Sequence, residues 1–495
     1  MADLYSPRSD ADKSPHSHAW LAKIGRLSPP PRPHVQRARL KLLVAFGIPV
    51  LMSIGAGLLV GWFADPAAAQ GAAEAPKIDT GDTAWMLVST ALVLLMTPGL
   101  AFFYGGLVRS RNVLNTMMMS LIAMAVVGVT WVLWGYSLSF APTVINPGGT
   151  PAFEANALIG SLKWFGFQGV GLDPDPVGYG ATIPHQVFAL YQMMFAIITV
   201  ALVSGSIAER LSFKAYFWFV VLWSTLIYCP LAHWVWGKGW LGNMGALDFA
   251  GGTVVHISSG VSALVAAWML GPRKDWQVKA IVPHNVPFVL LGTGLLWFGW
   301  FGFNAGSAIA ANGLAATAFT ATMVSTAAAG LTWTVVEWLL GRKPTAIGIA
   351  SGFVAGLVGI TPAAGFVDPL SAMAIGVITA LCCLGAVTLK VRLGFDDALD
   401  TFPVHGVGGT VGAILTGVLA SKSVNSAIDS GLLYGGTKTF TAGVVGVLAA
   451  YATAAIGTFL ILKGLSLVMD LRVSPEVEDQ GLDVPEHGED AYGEP

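Results

Sequence analysis

Charge is scarce in this sequence. Asp, Glu, Lys and Arg make up 11% of its 495 residues, and 26 basic against 28 acidic residues leave a formal net charge of −2. Such a chain has no basic footprint for nucleic acid, which is bound through clustered Lys and Arg. Cysteine is almost absent: Cys229, Cys382 and Cys383 all sit in apolar runs and imply no disulfide framework. What is there instead is apolar mass, 54% hydrophobic residues with a mean hydropathy of +0.67. The 60 glycines and the alanine-rich runs suit helices that pack closely in lipid. A soluble chain of this length would form roughly two or three domains. This composition describes an all-α polytopic membrane protein.

Residues 1–40 are polar and proline-rich with no apolar period, the composition of a disordered leader. Arg37, Arg39 and Lys41 then precede an apolar run from Leu42 to Phe63 that ends in DPAAAQ. Residues 41–69 therefore read as a secretory signal, with cleavage expected near Ala69. The other reading is an uncleaved first span, since the run is long for a signal. Eleven apolar segments of spanning length follow within a membrane domain at 80–470. They fall at 82–107, 113–140, 184–207, 212–235, 252–271, 284–305, 312–340, 345–364, 368–390, 401–420 and 437–469.

The connections between them are asymmetric in charge. Those after odd-numbered segments hold Arg109, Arg111, Arg210, Lys214, Arg273, Lys274, Lys279, Arg342, Lys343, Lys390 and Arg392. Those after even-numbered segments hold Lys163, Lys238, Lys422 and Lys438. Eleven against four puts the odd connections in the cytoplasm, the mature N-terminus outside and the C-terminus inside.

Two segments carry a matched device. Asp248 is followed eight residues later by His256, as Asp397 is by His405, and each histidine is followed four residues later by Gly260 or Gly409. An ionisable residue inside a span is costly and marks a functional hypothesis. The repeat in the fifth and tenth segments suggests two inverted five-helix halves and a final helix, with a shared site at the midplane. Two facing imidazoles lining a narrow path is one reading; two histidines bonded separately to neighbouring helices is the other. Zinc is a poor fit, because it wants three or four ligands and neither histidine has a second strong ligand one turn away. Aromatics and hydroxyls cluster elsewhere: Tyr191 and Phe195, Trp236, and the run from Phe301 to Ser307. Aromatic faces attract ammonium-type cations, but interfacial packing explains any one of them as well. Asp248 either adds to that attraction or caps the helix beginning near Ala250. Val177 to Gly180 imitates a potassium-filter signature, but lies among prolines with no pore helix before it.

Six stretches together resemble the ammonium transporter (Amt/Mep/Rh) family, on its Amt branch. They are TPGLAFFYGGLVRSRNVL (Thr97 to Leu114), GSIAERLSF (Gly205 to Phe213), GALDFAGGTVVHI (Gly245 to Ile257), GWFGFNAGSA (Gly299 to Ala308), DDALDTFPVHGVGG (Asp396 to Gly409) and GLDVPEHGEDAY (Gly481 to Tyr492). The resemblance implies a homotrimer in the inner membrane with one path per subunit, no enzymatic activity and no cofactor. It also implies that Phe195, Trp236 and Ser307, with Tyr191 beside them, recruit ammonium, or methylammonium as an analogue. Phe195 and Phe303 are expected to gate a path lined by Trp300, His256 and His405, with Asp248 as a supporting acid. The acidic tail at 471–495 would be disordered on composition; the resemblance makes it a cytoplasmic segment on which PII-type signalling proteins dock. Transport is the reading that follows. An ammonium sensor working through its tail is the alternative, and a histidine-dependent metalloenzyme is a third.

Overall fold

The computed structural model describes residues 77–145, 151–154, 157–279 and 281–493. The leader and signal-like segment expected at 1–69 lie outside the described residues. Among those described, ten helices are long and apolar enough to cross a membrane. They are α1 (Thr80–Leu107), α2 (Ser110–Phe140), α3 (His185–Ile207), α4 (Phe213–Met244), α5 (Gly252–Leu270), α6 (Val286–Ala308), α7 (Gly313–Leu339), α9 (Pro369–Leu393), α10 (Phe402–Leu419) and α11 (Lys438–Leu465). A shorter apolar helix, α8 (Ala346–Ile360), stands where 345–364 is expected to span. Its 15 residues reach about 22 Å at 1.5 Å per residue, short of a hydrocarbon core of about 30 Å. Pro362 is the reason: it lacks the N–H that would carry the ladder onward. The strands described are one small antiparallel pair, β1 (Val144–Ile145) with β2 (Pro151–Ala152).

Most spans begin on a side chain that accepts the free N–H groups of a helix start. Asp79 serves α1, Asn285 α6, Asn312 α7, Thr345 α8 and Asp368 α9. Such caps matter in lipid, where an unpaired N–H has no water to turn to. Helix α3 is the hub, with 94% of its most apolar window buried inside the protein. Spans α1 and α6 approach through glycine: a Cβ on Gly302 would come within 2.8 Å of the Ser89 carbonyl.

Past α11 the tail folds back as α12 (Pro475–Gln480) and α13 (Asp483–His487). Three of its carboxylates accept backbone N–H groups of other segments. Glu478 takes Lys274 N at 2.7 Å, Asp483 takes Leu114 N and Asn115 N at 3.1 and 2.8 Å, and Glu486 takes Phe213 N at 2.8 Å. Tyr492 pairs with His284 at 2.6 Å. The tail is thus an ordered clasp over the connections that follow α1, α3 and α5. Lys390, in the last turn of α9, pairs with Asp400 at 2.5 Å.

Beneath the clasp lies a buried ion network. Arg273 grips Asp396 through two nitrogens, at 2.8 and 2.9 Å, and reaches Glu209 at 2.8 Å. Glu209 also receives Arg109 Nε at 3.0 Å. Burial by itself raises the Glu209 carboxyl, but Arg273 and Arg109 outweigh it and hold it at about 2.

Candidate functional site

His256 and His405 meet inside the bundle. Each sits in a wide turn at the start of its helix, and an aspartate stands behind each start. The Asp248 carboxylate accepts four N–H groups, from Gly251, Gly252, Thr253 and Val254, at 2.6 to 3.0 Å. Burial raises the Asp248 carboxyl above the ordinary range, with those four bonds opposing. Asp397 accepts Thr401 N at 3.1 Å and Phe402 N at 2.7 Å. The helix backbones then touch at the glycine four residues past each histidine. A Cβ on Gly409 would lie 3.0 Å from His256 Cβ, and one on Gly260 would collide with the backbone of Gly406. This mutual approach brings the two Nδ1 atoms to 3.2 Å with the rings 24° from parallel.

A contact between two Nδ1 atoms has a chemical consequence. One must donate and the other accept, so the accepting ring is neutral and carries its proton on Nε2. His256 Nε2 is buried with no protein partner, which leaves the pair a free ring nitrogen. A narrow cavity reaches the pair, with about 20 Å³ open to a water-sized molecule. Its other walls are apolar or aromatic, among them Leu100, Ile198, Val354 and Trp300, with the Tyr104 ring. That is room for about one molecule the size of water.

Phe195 and Phe303 close one end, stacked at 4.2 Å and 22°. Phe303 lies 6.1 Å from the His256 ring and 5.5 Å from Trp300. Beyond the stack, Trp236 meets Phe195 edge-on at 5.9 Å, and its indole N–H donates to the Asp248 carbonyl at 2.8 Å. Tyr191 is fully buried behind Phe195, its hydroxyl against the Gly302 and Phe303 carbonyls at 2.9 Å and Ser307 Oγ at 3.2 Å. Ser307 donates to the Phe303 carbonyl at 2.9 Å. The nine residues singled out in sequence therefore form one column: Trp236, Ser307 and Tyr191 at one end, the phenylalanine stack next, then Trp300 and the histidines, with Asp248 behind. Residues 177–180 are instead tied into a loop, where Asp175 accepts Val177 N and Gly180 N.

Comparison with known proteins decides the family. The model of the Ammonium Transporter Family matches residues 84–492. The chain belongs to the ammonium transporter family. It is similar to an ammonium transporter of Bacillus subtilis, at 51% identity over 413 residues covering 83% of this chain and 98% of the relative. An ammonium transporter of Aquifex aeolicus is 50% identical, covering 85% of this chain and 95% of its own. The crystal structure of Saccharomyces cerevisiae Mep2 superposes with a TM-score of 0.73 at 39% identity, over 81% of this chain and 88% of that one. A solved "Sensor Amt Protein" gives a TM-score of 0.73 at 30% identity, over 82% and 98%. The two bacterial relatives are ammonium transporters, and with the family match this makes the chain a multi-pass membrane transporter of ammonium and not an enzyme.

Sequence reading passed over several residues of this transporter's column. Thr361 accepts the Trp300 indole N–H at 2.8 Å. Tyr104 lines the cavity and its hydroxyl lies 3.4 Å from Thr401. Glu209 was visible inside GSIAERLSF, but nothing local announced its two arginine partners. Among the described residues no group of three or more His, Cys, Asp or Glu is placed to hold a metal ion.

Proposed function

We propose that this transporter recruits ammonium at the Trp236, Ser307 and Phe195 mouth, deprotonates it near the Phe195–Phe303 stack, and passes ammonia along the His256–His405 pair. The observation that carries the reading is the 3.2 Å Nδ1 contact at the end of a narrow, largely apolar cavity. A full charge at the centre of a bilayer costs roughly 3 to more than 10 kcal/mol. Two neutral imidazoles and an aromatic wall repay little of that. Losing a proton before entry avoids most of it.

The mouth suits the charged form. The indole of Trp236 and the ring of Phe195 present π faces worth about 0.5–2 kcal/mol to a cation. The Ser307 proton is committed to the Phe303 carbonyl, which turns its lone pairs outward as acceptors. Past the stack the chemistry inverts. The free His256 Nε2 offers one hydrogen bond to a small neutral molecule, and the tautomeric pair can hand a proton across.

The wider reading has α8 and its turn completing an eleventh crossing, and two inverted five-helix halves sharing the site. The matched aspartate caps and the reciprocal glycine contacts support that repeat. The charge asymmetry of the connections supports a cytoplasmic tail, and the resemblance supports a homotrimer in the inner membrane. The ordered clasp at 474–492 supports the tail as a docking element for a PII-type signalling protein. Likeness to the sensor structure favours one second reading, ammonium sensing through the tail.

Purified protein in sealed vesicles tests both. Saturable uptake of ammonium and methylammonium, with potassium excluded, is expected. Ammonium binding with no flux above protein-free vesicles refutes transport and leaves sensing.

A further inference from the structure

The Nδ1 contact fixes one point on each imidazole and leaves the ring planes to be set by something else. For His256 that is Trp300, stacked 5.4 Å away at 19°. Trp300 carries a single polar atom in this wall, and a buried indole N–H needs an acceptor. Its acceptor is Thr361 Oγ1 at 2.8 Å, while the Thr361 hydroxyl donates to the Leu357 carbonyl at 2.7 Å. With its proton committed there, the Thr361 oxygen keeps its lone pairs for Trp300. Thr361 is fully buried.

The place of Thr361 in the fold strengthens the case. It stands where α8 stops, and the next residue wedges against the histidine helices. A Cβ on Gly252, one turn before His256, would come within 2.5 Å of Pro362, and one on Gly412 within 3.0 Å. The Pro362 carbonyl accepts Phe249 N at 3.1 Å, next to Asp248. The end of α8 therefore touches both histidine helices and holds the ring on which one histidine lies.

We propose that Thr361 is a positioning residue of the transport path: its hydroxyl fixes the plane of Trp300, Trp300 fixes His256, and His256 fixes the pair. The inference rests on the ammonia-conduction reading. The Thr361 hydroxyl is bonded to Trp300 and the Leu357 carbonyl and not to a mouth residue, so its loss slows passage without weakening recruitment.

The test compares Thr361→Ser, which keeps the acceptor, with Thr361→Val, which keeps the shape and loses it. Uptake of methylammonium into vesicles is followed against concentration, with ammonium-over-potassium discrimination measured alongside. Valine should lower the maximal rate about tenfold, a change of about 1.4 kcal/mol in barrier, with half-saturation unmoved. Serine should stay within about twofold of the wild type, under 0.5 kcal/mol on the same scale. In a Trp300→Phe background, which has no N–H to satisfy, valine should cost nothing further. Equal loss in serine and valine, a parallel rise in half-saturation, or an undiminished valine effect without Trp300 each overturns the proposal. Should the valine protein not accumulate, Thr361→Ala carries the same comparison, and failure of both shows a folding role and overturns it too. Wild-type protein that moves no ammonium in the same vesicles instead refutes the conduction reading.

Discussion

Asp248→Ala removes an acceptor that serves four N–H groups at once. In an exposed helix, losing a cap costs about 0.5–2 kcal/mol. Here the carboxylate is buried, and a donor left unsatisfied costs about 1–3 kcal/mol. If water reaches half of the four, two orphans remain, and the expected loss is about 2–6 kcal/mol. Asp248→Asn keeps one oxygen for the Gly251 and Gly252 donors but turns its NH2 toward Thr253 and Val254, so about half that loss is expected. The damage should reach recruitment, because Trp236 hangs its indole on the Asp248 carbonyl. The assay is the unfolding midpoint of detergent-solubilised protein, paired with the half-saturation concentration for methylammonium uptake. Alanine should lower the first and raise the second, with asparagine between. An alanine variant matching the wild type in both would refute the capping argument.

Replacing His256 or His405 with alanine should cut ammonium flux or admit potassium while the protein still assembles; two variants unchanged in flux and selectivity would exclude the pair from conduction. Truncation after Arg472 removes every carboxylate of the clasp and should lower transport without clearing the membrane of protein, and a PII-type partner should no longer bind. Full transport with retained binding would reduce the tail to a spacer. Glu209→Gln leaves Arg273 and Arg109 short of a buried counter-charge, at a cost of about 3–5 kcal/mol at pH 7. Because Glu209 is held at about 2 against an ordinary 4.5, its contribution is complete above pH 4.5 and is lost as pH falls toward 2. The gap between wild type and variant should therefore narrow by about 2 kcal/mol by pH 3, and a gap constant with pH would count against the network.

What could be read from the sequence had local causes. Apolar runs announced the spans, because lipid demands them wherever a helix crosses. The histidine device was legible because both copies keep the same spacing of acid, imidazole and glycine. The partners of Glu209 were not, since Arg109 and Arg273 lie 100 and 64 residues away. Both arginines count toward the charge asymmetry of the connections, though each is held by an internal acid. Thr361 sits in an apolar run where a threonine marks nothing until Trp300 is seen to point at it. The tail misled on composition because its acids seek backbone N–H groups, and such groups leave no mark in a sequence.

The clasp also sets an order of assembly. Residues 474–492 leave the ribosome after the segments that anchor them, at Leu114, Phe213, Lys274 and His284. Chains form their early parts first during synthesis, so the connections after α1, α3 and α5 wait with unfilled donors until the clasp residues arrive. Only a chain translated past Tyr492 can fasten itself completely, and one cut short before Glu478 is left unlatched.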